Sequence, residues 1–328
     1  MPLSRRKLIL AKVEAAYATD PVHATTDAVL VHDFDMKFSP ERYGRAVLAP
    51  SLTPRRASVL GKRFVEITFW QELTGNNAEY DATTRPMYDV FLRACGLAAA
   101  FAAGPVTWTY TPISTGFESV AIEFEVDGIV VVALGCRGNA KFVLTPGERG
   151  RIEYTFKGLF SLPADRALET PDYTDDIAPM IVAATGFQPW ADNPTAGVFG
   201  HFRSLVLDLR NVIATRESLT VGAEGIAAFE IVGRGPMDDP GMAVALEVEQ
   251  KANPNGDDFF TRWSSRTLSG AATATIGSGQ AHNEHQLLVR NIVIEDIQFA
   301  DFDGRVGHVL DGRVIGSADD NDISLLTT

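Results

Sequence analysis

The chain has 328 residues, of which 45% are hydrophobic and 22% are charged, and its net charge is −13. This composition is typical of a globular protein rather than a disordered one, and the length corresponds to about two ordinary domains. The acidic balance argues against specific nucleic-acid binding, which depends on clustered Lys and Arg. The two cysteines, Cys95 and Cys136, cannot build a disulfide framework, and their small or apolar neighbours favour a reducing compartment such as a cytoplasm.

The chain begins with a short amphipathic segment. Residues 4–18 are predicted to form a helix, with Ser4 as N-cap and Leu8, Ala11 and Ala15 on one side. The apolar stripe is thin, which is more typical of an arm than of a core element. Its apolar run is too short for a secretion signal, and no segment approaches the roughly 20 apolar residues of a membrane helix.

After the first thirty residues, apolar side chains recur with a period of two. In the stretch 62–73, Val65, Ile67, Phe69 and Leu73 alternate with polar residues, which predicts a half-buried antiparallel strand. Further strands are predicted over residues 106–111, 119–126, 129–135, 139–144 and 151–157.

Local signals in the first half predict one tight turn and one helix. The pair Asp127-Gly128 lies between two predicted strands and is a strong hairpin signal. Residues 85–96 predict a short helix, with Pro86 in the first turn and Gly96 as the C-terminal cap.

The second half repeats the order of elements found in the first. Residues 162–198 are rich in Pro, Asp and Thr and predict a domain junction. Beyond it, a pair of strands, an acidic strand and a short helix are predicted at 202–223, 240–250 and 255–265, and further strands and hairpins follow. Sequence identity between the halves is slight, so the repeat is one of pattern.

No sequence motif points to catalysis or to a metal. Phosphate-binding loops and the GxSxG nucleophile elbow do not occur. His282 and His285 are the best metal candidates, but a zinc site needs three or four convergent ligands, so surface or structural histidines are favoured. The acidic stretches 301–305 and 318–324 lack EF-hand spacing and are interpreted as solvated turns.

Seven glutamates lie on the polar side of predicted strands. Antiparallel sheets commonly expose such a face to solvent, whereas two suitably placed glutamates could also serve a glycosidase as acid and nucleophile. The second interpretation needs clustered aromatic residues for a sugar, and the four tryptophans are scattered. The seven are Glu66, Glu72, Glu123, Glu125, Glu153, Glu247 and Glu249.

Four stretches within residues 5–160 match one known family in their order along the chain. They read RRKLILAKVEAAYATDP, PMYDVFLRACG, TYTPISTGFESVAIEFEVDG and CRGNAKFVLTPGERGRIEYTFKGLF. In these stretches the chain resembles the major tail tube proteins of long-tailed, non-contractile (siphovirus-type) bacteriophages. The closing DDNDISL also resembles that family, whereas HNEHQLLVRNIVIEDIQ departs from it.

The resemblance implies a mainly β fold with two tandem tail-tube-type antiparallel β-sandwich domains, each with a short flanking helix, plus an N-terminal arm. Residues 1–165 would hold the arm and the first domain, and residues 166–328 the linker and the second. Rings in this family contain six tube domains. Two domains per chain therefore imply homotrimeric rings with pseudo-sixfold symmetry, stacked into a tube, although the second half could instead be an outward decoration on rings of six chains.

The resemblance also implies a structural virion protein, with no catalysis and no cofactor, assembled in the host bacterial cytoplasm and located in the virion tail. Its partners would be other copies of itself, the tape measure protein, the tail terminator, the distal tail protein and passing double-stranded DNA, without a membrane. Some of the seven glutamates would face the channel and make it net negative, so that an acidic wall keeps DNA sliding. Leu8, Ile9 and Leu10 would belong to an arm that orders on a neighbouring ring. The alternative function is a carbohydrate-binding or adhesive β-sandwich module of a phage tail.

Overall fold

The structure is a computed structural model, and it describes residues 3, 5–48, 50, 52, 55–182, 187–188, 201–220, 225–249, 259–268, 271–316 and 320–328. The described part contains two short α-helices, α1 (Asp89–Ala94) and α2 (Phe259–Ser265), and a 3-10 turn at Thr25–Asp27. Its strands are β1 (Lys7–Val13), β2 (His32–Ala46), β3 (Arg55–Glu72), β4 (Leu97–Ala103), β5 (Val106–Pro112), β6 (Val120–Val126), β7 (Ile129–Leu144), β8 (Arg151–Leu159), β9 (Ala164–Asp165), β10 (Phe187–Gln188), β11 (His201–Asp208), β12 (Asn211–Glu217), β13 (Ile226–Arg234), β14 (Ala243–Glu249), β15 (Ala272–Ile276), β16 (His285–Val289), β17 (Asn291–Phe302), β18 (Arg305–Ile315) and β19 (Ile323–Thr327).

The strands form antiparallel sheets, so the predicted mainly β class is confirmed. The large sheet has the order β17-β18-β14-β11-β7-β8-β3-β2, and β7 also carries a side branch made of β6, β1 and β9. A second sheet has the order β10-β15-β16-β19-β5-β4, and β12 and β13 form a separate hairpin.

The large sheet contains one strand order twice. Each block of four begins with a hairpin (β17–β18 or β7–β8), continues with the strand that precedes the helix (β14 or β3), and ends with an earlier strand (β11 or β2). The blocks meet where β11 pairs with β7, from Leu205 opposite Leu144 to Asp208 opposite Lys141. The sheet therefore continues across the predicted boundary between residues 165 and 166.

A single large hydrophobic core lies between the sheets and draws on both halves. Val65, Ile67, Phe69 and Leu73 are all buried, which confirms the alternation predicted for β3. The same cluster includes β14, β15 and β19 of the second half, for example Leu246. Cys95 and Cys136 are buried with free thiols.

The helix predicted over residues 4–18 is wrong. Residues 7–13 form β1, which pairs with β6 from Lys7 opposite Val126 to Val13 opposite Val120. Residues 8–11 are all buried, because both faces of this strand are covered. Such a strand shows no alternation, so its apolar spacing imitates a helix.

The turn predicted at Asp127-Gly128 is confirmed, and the helix predicted over residues 85–96 is present as the shorter α1, which begins after Pro86. Asp127 and Gly128 join β6 to β7 with φ values of 27° and 104°, the left-handed conformations that a two-residue hairpin needs. Gly96 follows α1 with a φ of 77°, as expected for a C-terminal cap. Strand β7 is continuous, with a bulge between Leu134 and Arg137, where two separate strands were predicted.

The outcome for two other predictions is partial. The predicted junction 162–198 overlaps with residues 161–182, which run along the outside of the first half. We call residues 161–182 the strap. Residues 183–186 and 189–200 lie outside the described residues. The predicted helix 255–265 corresponds to α2, and residues 255–258 lie outside the described part.

Candidate functional site: a polar sheet face and a buried carboxylate pair

Five of the seven predicted glutamates lie on one face of the large sheet. Directly opposed residues of neighbouring strands point to the same side, and Glu66 opposes Lys157 while Glu153 opposes both Trp70 and Lys141. The same register continues through β7 and β11 to β14. Through it the sheet brings together Glu66, Glu72, Glu153, Glu247 and Glu249.

Cations accompany most of these carboxylates. Glu153 lies 3.1 Å from Arg151 and 3.5 Å from Lys141, and Glu66 lies 4.0 Å from Lys157. The face is therefore a mixed-charge surface of partly exposed ion pairs, each of which contributes little to stability.

The same pairing occurs at one end of the sheet in both blocks. Glu72, at the end of β3, forms an ion pair with Arg149 and lies 3.2 Å from His32 Nε2. Glu249, at the end of β14, pairs with Arg305 at 2.8 Å. Glu247 has no ion-pair partner among the described residues. Whether these five glutamates face a channel stays a prediction.

For Glu123 and Glu125, the predicted channel-facing position is wrong. Each residue is only 2% exposed, although both point away from the core side of β6, as their alternation with apolar residues predicted. The strap covers them: Arg166 extends one guanidinium nitrogen, Nη2, to a carboxylate oxygen of each glutamate. A long-range contact within the chain therefore replaces the expected open face.

Two further groups complete this buried cluster. The backbone N–H of Glu169 donates to the second oxygen of Glu125 at 3.0 Å. His23 donates from Nε2 to the Ala121 carbonyl at 3.2 Å and places Nδ1 3.5 Å from Glu123. Burial raises the pKa of Glu125. The cluster holds two acids against one arginine, so its net charge depends on pH.

The strap also covers the N-terminal strand. Leu168 and Tyr173 pack against Leu8 and Leu10, which are 3% and 0% exposed, and Ile9 faces the main core with 6% exposed. The prediction that these three residues form an arm held mainly by a neighbouring ring is wrong, since their own chain already buries them.

His285 has a structural role, as predicted. Its ring is fully buried and lies 3.1 Å from the Tyr88 hydroxyl, at Nδ1, and 3.1 Å from Asn283, at Nε2. Burial lowers the pKa of His285 to about 3, which keeps the ring neutral. His282 contributes its backbone carbonyl, which accepts from Tyr80 at 2.7 Å. Across the described residues, no group of three or more metal-ligating side chains converges.

The sequence gives no local signal for the partner of the buried pair. Arg166 lies 41 residues beyond Glu125 in a segment predicted as a junction. The alternation of Glu123 and Glu125 with apolar residues predicts only that both glutamates point away from the core.

The main strand order of the large sheet ends with β2 on one side and with β17 on the other. Among the described residues, each of these two strands pairs with one neighbouring strand. They are the counterparts, in the two blocks, of β11 and β7, which join each other inside the chain. Neither helix of the described part is long and apolar enough to cross a membrane. Comparison of the chain with protein-family models gave no match, and comparison with curated proteins gave none.

Proposed function

We propose that the chain is the structural subunit of a phage tail tube, in which three copies form each ring and stacked rings conduct DNA. One observation carries this proposal: the same four-strand order occurs twice and is joined head to tail through β7 and β11. The resemblance of the first half to tail tube proteins supports it independently.

The repeat has a consequence for self-association. The large sheet of one chain has β2 at one edge and β17 at the other. These two edges correspond to those of β11 and β7, which are joined within the chain. Repeating that join between chains gives a head-to-tail interface, and such interfaces generate closed rings or open helical filaments. Ring closure also removes unpaired edges that would otherwise template aggregation. Three chains with two blocks each would give a ring with six blocks.

The polar face of the large sheet is then the surface that lines the channel. Its carboxylates and their paired cations present DNA with alternating charge rather than a cationic surface that would hold its phosphates. The proposed channel lining therefore contains five of the seven glutamates and excludes Glu123 and Glu125.

End-on class averages of negatively stained assemblies test the proposal. Three copies per ring with six similar lobes support it. Six copies with the second half projecting outward, or a protein that stays monomeric at all concentrations, contradict it.

A variant of the β17 edge tests the join itself. Along an edge strand, N–H groups point alternately toward the neighbouring strand and toward the open edge, so Gln298→Pro and Phe299→Pro remove one group of each kind. The substitution that removes an N–H facing the open edge should leave the melting temperature native, and we expect that variant to form no rings. Normal rings from that folded variant would show that the edge is not the interface.

A further inference from the structure

A histidine beside the buried carboxylate pair is held in one tautomer. The side chain of His23 is 2% exposed and that of Glu123 is 3% exposed. His23 Nε2 lies 3.2 Å from the Ala121 carbonyl oxygen. A carbonyl oxygen only accepts, so Nε2 carries a hydrogen, and in the neutral ring Nδ1 carries none. Nδ1 lies 3.5 Å from Glu123 Oε2 and has no hydrogen-bond partner among the described residues.

The other three carboxylate oxygens of the pair have donors. Arg166 donates from Nη2 to Oε1 of both glutamates, and the Glu169 N–H donates to Glu125 Oε2 at 3.0 Å. The fourth oxygen, Glu123 Oε2, has no donor within the described part of the chain and faces His23 Nδ1. Two lone pairs therefore oppose each other when both groups are unprotonated, and both side chains are almost excluded from solvent. One proton between them makes the missing hydrogen bond.

The backbone that presents His23 is strained. Residues 14–24 connect β1 to the 3-10 turn, and we call them the histidine loop. Val22 in this loop has a φ of 53°, a left-handed conformation that β-branched residues avoid. Such conformations persist where surrounding contacts hold them. Lys12 supplies one such contact, since its Nζ lies 3.4 Å from the Val22 carbonyl and 3.0 Å from Asp27, and the docked His23 ring supplies another.

The surroundings of the contact carry an excess of negative charge. The carboxylates of Glu123 and Glu125 share Arg166, and the Glu169 carboxylate lies 3.8 Å from the same guanidinium. The residues of β1 and β7 that stand opposite the two glutamates are apolar. They are Leu8, Leu10, Val130 and Val132. Three carboxylates around one arginine favour the charged form of a nearby histidine.

We infer that His23 Nδ1 and Glu123 Oε2 form a proton-binding site, and that the proton bound there holds the histidine loop and the strap on β6. The proton comes from solvent, and Nδ1–H then donates to Oε2. Without it the two groups repel each other, so the strap opens more often and uncovers Leu8 and Leu10, on which Leu168 and Tyr173 pack. The inference does not depend on the proposed function.

The direction of the pH dependence follows from the proton count. The closed strap binds one proton more than the open strap. An exposed histidine loses its proton at about pH 6.5, so closure is fully supported below that pH and is weakened as pH rises above it. One proton changes an equilibrium by up to about tenfold per pH unit.

Hydrogen exchange of the full chain, followed by mass spectrometry from about pH 6.5 to about pH 9 and corrected for the intrinsic exchange rate, measures opening of the strap. We expect opening around Arg166 to rise by up to about tenfold per pH unit. In Glu123→Gln the introduced amide accepts from Arg166 through its oxygen and donates to Nδ1 through its nitrogen. No added proton is needed, so opening should not depend on pH in this variant.

His32→Gln is a matched control, because His32 makes a second histidine–carboxylate contact, with Glu72 at 3.2 Å, outside the histidine loop. It should keep the native pH dependence. Nitrogen magnetic resonance of the His23 ring in the unaltered protein is independent of how any variant folds, and it should show hydrogen on Nε2 alone at high pH and on both nitrogens at low pH. Opening of the native strap that is constant with pH, an unchanged pH dependence in Glu123→Gln, or a ring with hydrogen on Nδ1 alone at high pH would each overturn the inference.

Discussion

The Arg166 side chain extends from the strap to the two buried carboxylates of Glu123 and Glu125. Replacing Arg166 therefore tests that cluster directly. In Arg166→Gln the side chains of Glu123 and Glu125, each 3% exposed, lose their cation. Removing one partner of a buried ion pair costs about 3–5 kcal/mol. The Arg166 side chain is 40% exposed and therefore partly screened by solvent, so we expect a loss of roughly 2 kcal/mol.

Urea denaturation at pH 7 measures that loss, and thermal unfolding should show a decrease of roughly 3 °C, because the entropy of unfolding grows with chain length. The pH dependence follows from the direction of the pKa shift. Burial raises the pKa of Glu125 above 4.5, so the cost of the unpaired carboxylate is full above the folded-state pKa and disappears as pH falls and the acid takes up a proton. The difference between variant and native protein should therefore shrink between pH 7 and pH 4.5.

Two matched variants separate charge from packing. Arg166→Lys retains the cation and should lose less stability than Arg166→Gln. Adding Glu123→Gln and Glu125→Gln to Arg166→Gln removes the uncompensated charges and should recover most of the loss, since neutral replacements of buried ion pairs are often harmless. A native-like stability of Arg166→Gln at pH 7, or a loss of the same size at pH 4.5, would refute the reasoning.

Three predictions concern other parts of the chain. Deleting residues 2–16 removes β1 from beside β6 and should leave little folded protein on gel filtration; a folded monomer would contradict the pairing. Glu14→Ala leaves the buried Gly135 N–H without its acceptor at 2.7 Å and should lower the free energy of unfolding by about 2–3 kcal/mol in urea, whereas exposed Glu148→Ala should change it little. His285 has a lowered pKa of about 3, so its contribution is complete above pH 6.5 and is lost as pH falls; His285→Gln should flatten the stability profile between pH 6.5 and 3, and an unchanged slope would contradict this.

Local sequence signals predicted the elements whose structure depends on local chemistry. Asp127-Gly128 formed its hairpin because only small or turn-forming residues adopt left-handed conformations at both positions. The alternation in β3 was visible because one face packs on the core and the other stays polar.

Long-range contacts could not be predicted in this way. The sequence of β1 predicts a helix because the face that the strap covers is apolar too, so the alternation that identifies a strand is missing. Glu123 and Glu125 looked solvent-facing because their cation comes from Arg166, and nothing near either glutamate in the sequence indicates that contact. The pairing of β7 with β11 likewise joins strands far apart in sequence, so the order of elements was predicted but their assembly into shared sheets was not.

The position of β19 bears on how the chain is made. This strand lies between β16 and β5 in the second sheet, with Leu325 opposite Tyr110. At ribosomal rates of about 5–20 residues per second, β5 emerges roughly 10–40 s before β19 is synthesised. During that interval one edge of β5 lacks the partner strand that it has in the folded chain, and unpaired strand edges favour pairing with other chains. The second sheet becomes complete only after β19 has left the ribosome, although most of its strands precede β19 in the chain.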